Sequence, residues 1–111
     1  MGIQNWSDSI ILVDLPAEPE MADELETVAE MVRDKDSCDL VIDFSCVDMV
    51  TSSSLSRLLK LHKPLADCGR RIILCGVAAA IKGVFTITGL DGVFELADDK
   101  FAALATLEMI G

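Results

Sequence analysis

Apolar residues recur along this chain at two periods, and each change of period marks a new element. Four runs rich in β-branched and aromatic residues read as strands: Ile10 to Val13, Val41 to Phe44, Arg71 to Cys75 and Val93 to Leu96. A more polar arm, Gly2 to Trp6, is anchored by Ile3 and Trp6. It joins the first run through Ser7-Asp8-Ser9, a turn composition, so the two form a hairpin. Between the runs the spacing becomes helical. Met21, Leu25, Val28, Ala29 and Val32 make one stripe, and Leu55, Leu58, Leu59 and Leu65 make a second that also carries His62. Ile81, Val84, Phe85 and Thr88 form a third, and Phe101, Leu104, Ala105 and Leu107 a fourth.

The polar residues punctuate this pattern. Pro16 and Pro19 place a loop before the first helix, and Pro19 suits its first turn, where a missing N–H costs nothing. Glu20, Asp23, Glu24 and Glu26 crowd the positive end of that helix, while Arg33 and Lys35 sit near its negative end. Asp34-Lys35-Asp36-Ser37 reads as its polar exit loop. Thr51 to Ser54 opens the second helix, Gly69 stops it, and Pro64 is expected to kink it or end it early. Gly89 closes the third helix, and Asp98 or Asp99 caps the fourth. The order is β-β-α-β-α-β-α-β-α. Strands joined through helices run parallel, and the opening hairpin adds an antiparallel edge. The expected fold class is therefore α/β, a mixed sheet of about five strands with four helices.

Composition narrows the class. The 111 residues fit one domain, residues 1–111, and 51% of them are hydrophobic, with a mean hydropathy of +0.45, enough for a single generous core. A formal net charge of −10 argues against nucleic acid, whose phosphates need Lys and Arg, and against anionic membrane surfaces. A partner with a basic rim fits better, and the same charge keeps a small protein monomeric or weakly dimeric. Cysteines 38, 46, 68 and 75 include no CxxC pair, so neither zinc nor thioredoxin-type chemistry is indicated. Cys46 and Cys75 adjoin apolar runs and are expected to pack as small hydrophobes. Without a basic, apolar leader in Met1 to Asp14 or any membrane-length apolar run, a reduced cytoplasmic setting is expected.

Catalytic constellations are poorly supplied. Gly76 and Gly83 are isolated, so no dinucleotide or phosphate-binding loop is written here. Ser52 and His62 begin and continue one helix about 15 Å apart, too far for a nucleophile–base pair. No metal set surrounds His62, no carboxylate pair is matched to a base at a strand end, and no cofactor is implied. What stands out is the hydroxyl run Thr51-Ser52-Ser53-Ser54 beyond the end of a buried strand. It has two readings. One residue caps the helix and the rest are ordinary first-turn residues, or the run accepts or binds a phosphate at a positive helix end.

Two blocks of sequence bear on that choice. Val41-Ile42-Asp43-Phe44 followed by Val47-Asp48-Met49-Val50-Thr51-Ser52-Ser53-Ser54-Leu55 resembles the signature of the STAS family, the anti-sigma factor antagonist and sulfate transporter domains. Ala80 to Leu90 is similar to that family's helix ending in Ser/Thr-Gly-Leu, and the element order agrees from about Ser9 to Leu107. The resemblance implies a STAS-like fold, with the four helices mostly on one face of the sheet, and a non-enzymatic regulator of transcription that binds an anti-sigma factor, itself a serine kinase of the GHKL type. Ser52 would be the phosphoacceptor, with Thr51 and Ser53 as the neighbouring alternatives. The partner face it implies comprises Glu18, Asp48, Met49, Thr51, Ser52, Ser53, Ser54 and an exposed Arg57. Three positions depart from the family pattern: Thr51 replaces an Asp, Ser54 replaces a Gly, and Pro16-Ala17-Glu18 replaces a Thr-Gly-Glu-like turn. Without the Asp, an unphosphorylated STAS subunit of an ABC-type transporter or signalling scaffold is the alternative.

Overall fold

Side chains of successive strand residues point to opposite faces of a sheet, and in this protein both faces of the central strands are buried. Ile11, Val13, Leu40, Ile42, Ile72 and Leu74 enter one apolar cluster, while Ile10, Leu12, Val41, Ile73 and Cys75 enter another. The computed structural model describes residues 2–34 and 38–110, with side chains for all of these except 34, 109 and 110. Strands β1 (Gly2–Ser7), β2 (Ile10–Asp14), β3 (Asp39–Asp43), β4 (Ile72–Cys75) and β5 (Glu95–Ala97) alternate after the hairpin with helices α1 (Glu20–Asp34), α2 (Ser52–Asp67), α3 (Ala79–Thr88) and α4 (Lys100–Ile110). The sheet order is sequential, β1-β2-β3-β4-β5, with β1 antiparallel to β2 and the other three pairs parallel.

The larger cluster holds Met21, Leu25, Val28 and Val32 of α1, Leu58, Leu61 and Leu65 of α2, and Ile81 and Phe85 of α3. The smaller holds Ala103, Leu104 and Leu107 of α4. Three helices thus share one face and the fourth covers the other, as the strand pattern requires. The mixed five-stranded sheet with four helices agrees with the expectation from sequence.

Several local expectations are corrected. Pro64 neither ends nor breaks α2, which continues to Asp67. Only the Lys60 carbonyl loses its helical partner, and both residues lie on the exposed side of α2. The helix stops at Gly69, as expected, φ +74°, in a Schellman arrangement: the Arg70 N–H donates to Leu65 O (2.8 Å) and the Gly69 N–H to Ala66 O (3.0 Å). The buried stripe of α2 is Ser54, Leu58, Leu61 and Leu65, and Leu59 is exposed. Val84 and Thr88 of α3, Phe101 and Ala105 of α4, and Trp6 also face outward, whereas Ala103 is buried. The last strand begins at Glu95, because a 3-10 turn at Leu90–Gly92 turns Phe94 into the core against Phe85 and His62. Cys75 is buried, but Cys46 is exposed in the loop after β3. Lys35 and the exit loop, apart from the backbone of Asp34, lie outside the described residues.

Candidate functional site

The hydroxyl run stands at the end of a loop that the core fixes at both sides. β3 ends at Asp43, and the Phe44 N–H then donates to Cys75 O (2.8 Å) and the Val47 N–H to Phe44 O (2.9 Å), with both side chains buried. Asp48 and Met49 follow on the surface, Met49 with 55% of its area exposed. Thr51 is the N-cap of α2: its backbone is extended (φ −105°, ψ 164°) and its Oγ1 accepts from the Ser54 N–H (3.1 Å). The helix reading of the run is therefore assigned to one residue, and that residue is Thr51.

The four hydroxyls separate by function from there. Thr51 Oγ1 also donates to Glu18 Oε2 (3.1 Å), and Ser54 Oγ donates to the same oxygen over a short contact. The two hydroxyl oxygens are 3.1 Å apart. Glu18 belongs to the loop between β2 and α1, so this triangle ties two loops at the same end of the sheet. Ser52 and Ser53 lie outside it, both exposed, and neither has a hydrogen-bonded side chain among the described residues. Their position in the first turn places them in the field of the α2 N-terminus, which favours negative charge.

This geometry sorts the residues expected at the partner face. Glu18, Asp48, Met49, Thr51, Ser52 and Ser53 come together at one end of the sheet, with Glu18 and Thr51 half-buried and the other four exposed. Ser54 does not join them. It is 1% exposed and its hydroxyl turns inward to Glu18. The stripe Ser54-Leu58-Leu61-Leu65, spaced four, three and four, carries that signal in the sequence. Arg57 is not the exposed residue expected: its side chain is 36% exposed and turns toward α1, where Nη1 meets Glu26 Oε2 at 3.4 Å.

A second polar cluster, absent from the sequence reading, lies at the ends of the neighbouring strands. Parallel register sets Asp14 beside Asp43. Lys100 at the start of α4 reaches both, with Nζ 3.3 Å from Asp14 Oδ1 and 3.6 Å from Asp43 Oδ2. The Asp14 carboxylate holds the Lys100 ammonium above its ordinary pKa. Asp43 Oδ1 further accepts from the Ser45 N–H (2.8 Å) and Ser45 Oγ. Gly76, at φ +64°, passes so close that a Cβ there would lie 2.6 Å from Ser45 Oγ. Burial, with Asp43 nearby, pushes the Cys75 thiol up to about 12, so it is no nucleophile. The two ion pairs fasten the start of α4 to the ends of β2 and β3. Among the described residues no group of His, Cys, Asp and Glu could hold a metal ion. No described helix is long and apolar enough to cross a membrane.

Comparison with known proteins adds a family profile, the STAS domain, which matches residues 13–103. The chain is 28% identical over 87 residues to BtrV of Bordetella bronchiseptica, a candidate anti-sigma factor antagonist, covering 78% of this chain and 75% of that one. An anti-sigma-factor antagonist (STAS) domain protein from Planctomyces limnophilus shares the fold with a TM-score of 0.83 at 19% identity, over 97% of this chain and 99% of that one. The Bacillus protein SpoIIAA shares it in two forms. The unphosphorylated one gives a TM-score of 0.75 at 13% identity over 98% and 96% of the two chains, and the phosphorylated one 0.68 at 13% over 94% and 96%.

Proposed function

The chain belongs to the STAS domain family, and from that premise we propose that it is an anti-sigma factor antagonist, a cytoplasmic binding module switched at Ser52. Unphosphorylated, it sequesters an anti-sigma factor that is also its serine kinase, of the GHKL type; phosphorylated, it lets go. One observation narrows the four hydroxyls to Ser52 and the equally exposed Ser53, and the position after Thr51 in the family pattern selects Ser52. Of the four consecutive hydroxyls, Thr51 and Ser54 are committed to the cap and to Glu18, whereas the Ser52 side chain is exposed at the helix start.

The physics of the switch follows from that placement. Binding requires the surface around Asp48, Met49, Ser52 and Ser53 to lose water against a partner, with Met49 as its apolar anchor. A phosphate on Ser52 adds close to two negative charges and three strong acceptors to that surface. The α2 N-terminus tolerates the charge locally, so the domain stays folded while the complex fails. Thr51 stands where the family pattern has Asp, but Glu18 Oε2 is 3.1 Å from its hydroxyl. A carboxylate from another loop thus stands against the residue that replaces the Asp. In this reading the chain is a regulator and not an enzyme, and it works as a monomer or weak dimer.

Thr51 in place of Asp also favours a second reading, a STAS subunit of an ABC-type transporter or signalling scaffold that is never phosphorylated. A pull-down from the source cell with wild type, Ser52→Ala and Ser52→Asp separates the two. The switch predicts that Ser52→Ala holds an anti-sigma factor, that Ser52→Asp loses it, and that intact protein carries phosphate on Ser52. If Ser52→Asp keeps every partner and no phosphate is found, the switch is wrong.

A further inference from the structure

A strand at the edge of a sheet offers a row of backbone N–H and C=O groups to whatever lies beside it. Sheets that stay single blunt that row with short length, charge, proline or a bulge. The two edges of this sheet differ in those protections. β5 has three residues, carries Glu95 in its ion pair with Arg71, and runs into Asp98 and Asp99. β1 is the longest strand, with six residues, no charged side chain and no proline. No described strand lies beyond it. Its protection is a bulge between Asn5 and Ser7, which leaves the stretch from Gly2 to Asn5 in regular register. Residues Gln4 to Ser7 are exposed. Among them Trp6, the one tryptophan of the chain, leaves 42% of its area in solvent.

We propose that β1 pairs antiparallel with β1 of a second copy, joining two five-stranded sheets into one. Charge selects this occupant. Like charges directly across a strand pair are destabilising, and a chain of net charge −10 meets that penalty at most of its surface. Self-pairing at β5 would set Glu95, Asp98 and Asp99 against their copies. Self-pairing at β1 opposes neutral side chains alone. A foreign strand drawn to this acidic chain would carry basic residues, and β1 offers them no carboxylate. Shape sets the register. A two-fold axis at Gln4 places Gln4 across from Gln4, Ile3 across from Asn5, and Trp6 across from Gly2. A Cβ at Gly2 would meet nothing within 4 Å, so open space stands where the indole would lie. So short a regular stretch makes a small interface, in the weak class that buries less than about 1,200 Å². The edge includes none of Glu18, Asp48, Met49, Ser52 or Ser53, so the pairing does not rest on the switch proposed above.

The test is sedimentation equilibrium of the full-length protein up to roughly 1 mM, with Trp6 emission read over the same range. A dimer is expected, with emission moving to shorter wavelength as Trp6 loses water. Raising NaCl from about 50 to about 500 mM is expected to tighten it, because screening weakens the repulsion between two acidic copies. A site for a basic partner would show the opposite sign. Gln4→Glu and Gln4→Lys are each expected to weaken the dimer about threefold to fivefold, as like charges meet across the axis. An equimolar mixture of the two is expected to restore it, which damaged folds would not do. Leu96→Lys, on β5, is expected to change nothing. A protein that stays monomeric, or a dimer whose Trp6 emission does not move, would overturn the pairing. So would weakening by salt or by Leu96→Lys, Gln4 variants that dimerise as wild type does, or a mixture that fails to recover.

Discussion

Glu18 and Ser54, 36 positions apart in the chain, share a hydrogen bond in which the buried serine hydroxyl donates to the glutamate carboxylate. Thr51 donates to the same oxygen, so one carboxylate fastens the start of α2 to the loop before α1. Ser54 stands where the family pattern has glycine, which has no side chain to donate. The contact is therefore one that the family pattern does not supply. Hydrogen bonds to a charged acceptor contribute about 1.5–3 kcal/mol. Ser54→Ala should destabilise the protein by about that amount in urea unfolding, and Glu18→Gln by less, because an amide oxygen still accepts.

Thr51 and Ser52 are neighbours with opposite roles, and substitution separates them. Thr51→Ala removes the cap and should cost about 1 kcal/mol in a urea or thermal melt. Ser52→Ala should leave stability within about 0.5 kcal/mol of wild type, as surface substitutions away from special features do. Ser52→Asp should be neutral or stabilising by about 0.3–1 kcal/mol, since a carboxylate at the start of α2 complements the dipole. Loss of partner binding in Ser52→Asp, in a protein that melts no lower than wild type, would separate a switch from damage.

The pair at the far edge of the sheet sets a dependence on acid. Arg71 Nε donates to Glu95 Oε2 at 2.7 Å, with a second contact from Nη2 to Oε1. The Arg71 guanidinium holds Glu95 below its ordinary 4.5. A depressed carboxylate stabilises the fold above its unfolded pKa, and that contribution is lost as pH falls through the folded value. Glu95→Gln should thus be less stable than wild type at pH 7, by about 1 kcal/mol or less for so exposed a pair. The difference should vanish as both are titrated below pH 4.5. A difference unchanged between neutral and acid pH would assign the loss to packing instead.

The four thiols should divide equally. Cys46 and Cys68 are exposed, Cys38 and Cys75 buried, and Cys75 is pushed up to about 12, leaving no thiolate at neutral pH. A thiol-reactive dye at pH 8 should modify two cysteines quickly and the other two only with unfolding, at a rate that rises with urea.

The sequence by itself determined the order of elements, because periods of 2 and 3.6 are local and each turn residue acts within a few positions. The hydroxyl run was likewise legible as a helix start, while burial on both faces of β2, β3 and β4 was decided by the helices packed on either side. Which side of a helix faces the core was less legible. α2 has leucines at 55, 58, 59, 61 and 65, on more than one side, and only its contacts with the sheet and α1 leave Leu59 outside and Ser54 within. The long-range polar contacts were not legible at all. Asp14, Asp43 and Lys100 meet because a parallel register and a helix from the far end of the chain bring them together. Glu18 meets Thr51 and Ser54 because two loops end at the same edge. Hydrophobic patterning writes the elements; tertiary packing decides which hydroxyl is buried and which is left for a partner.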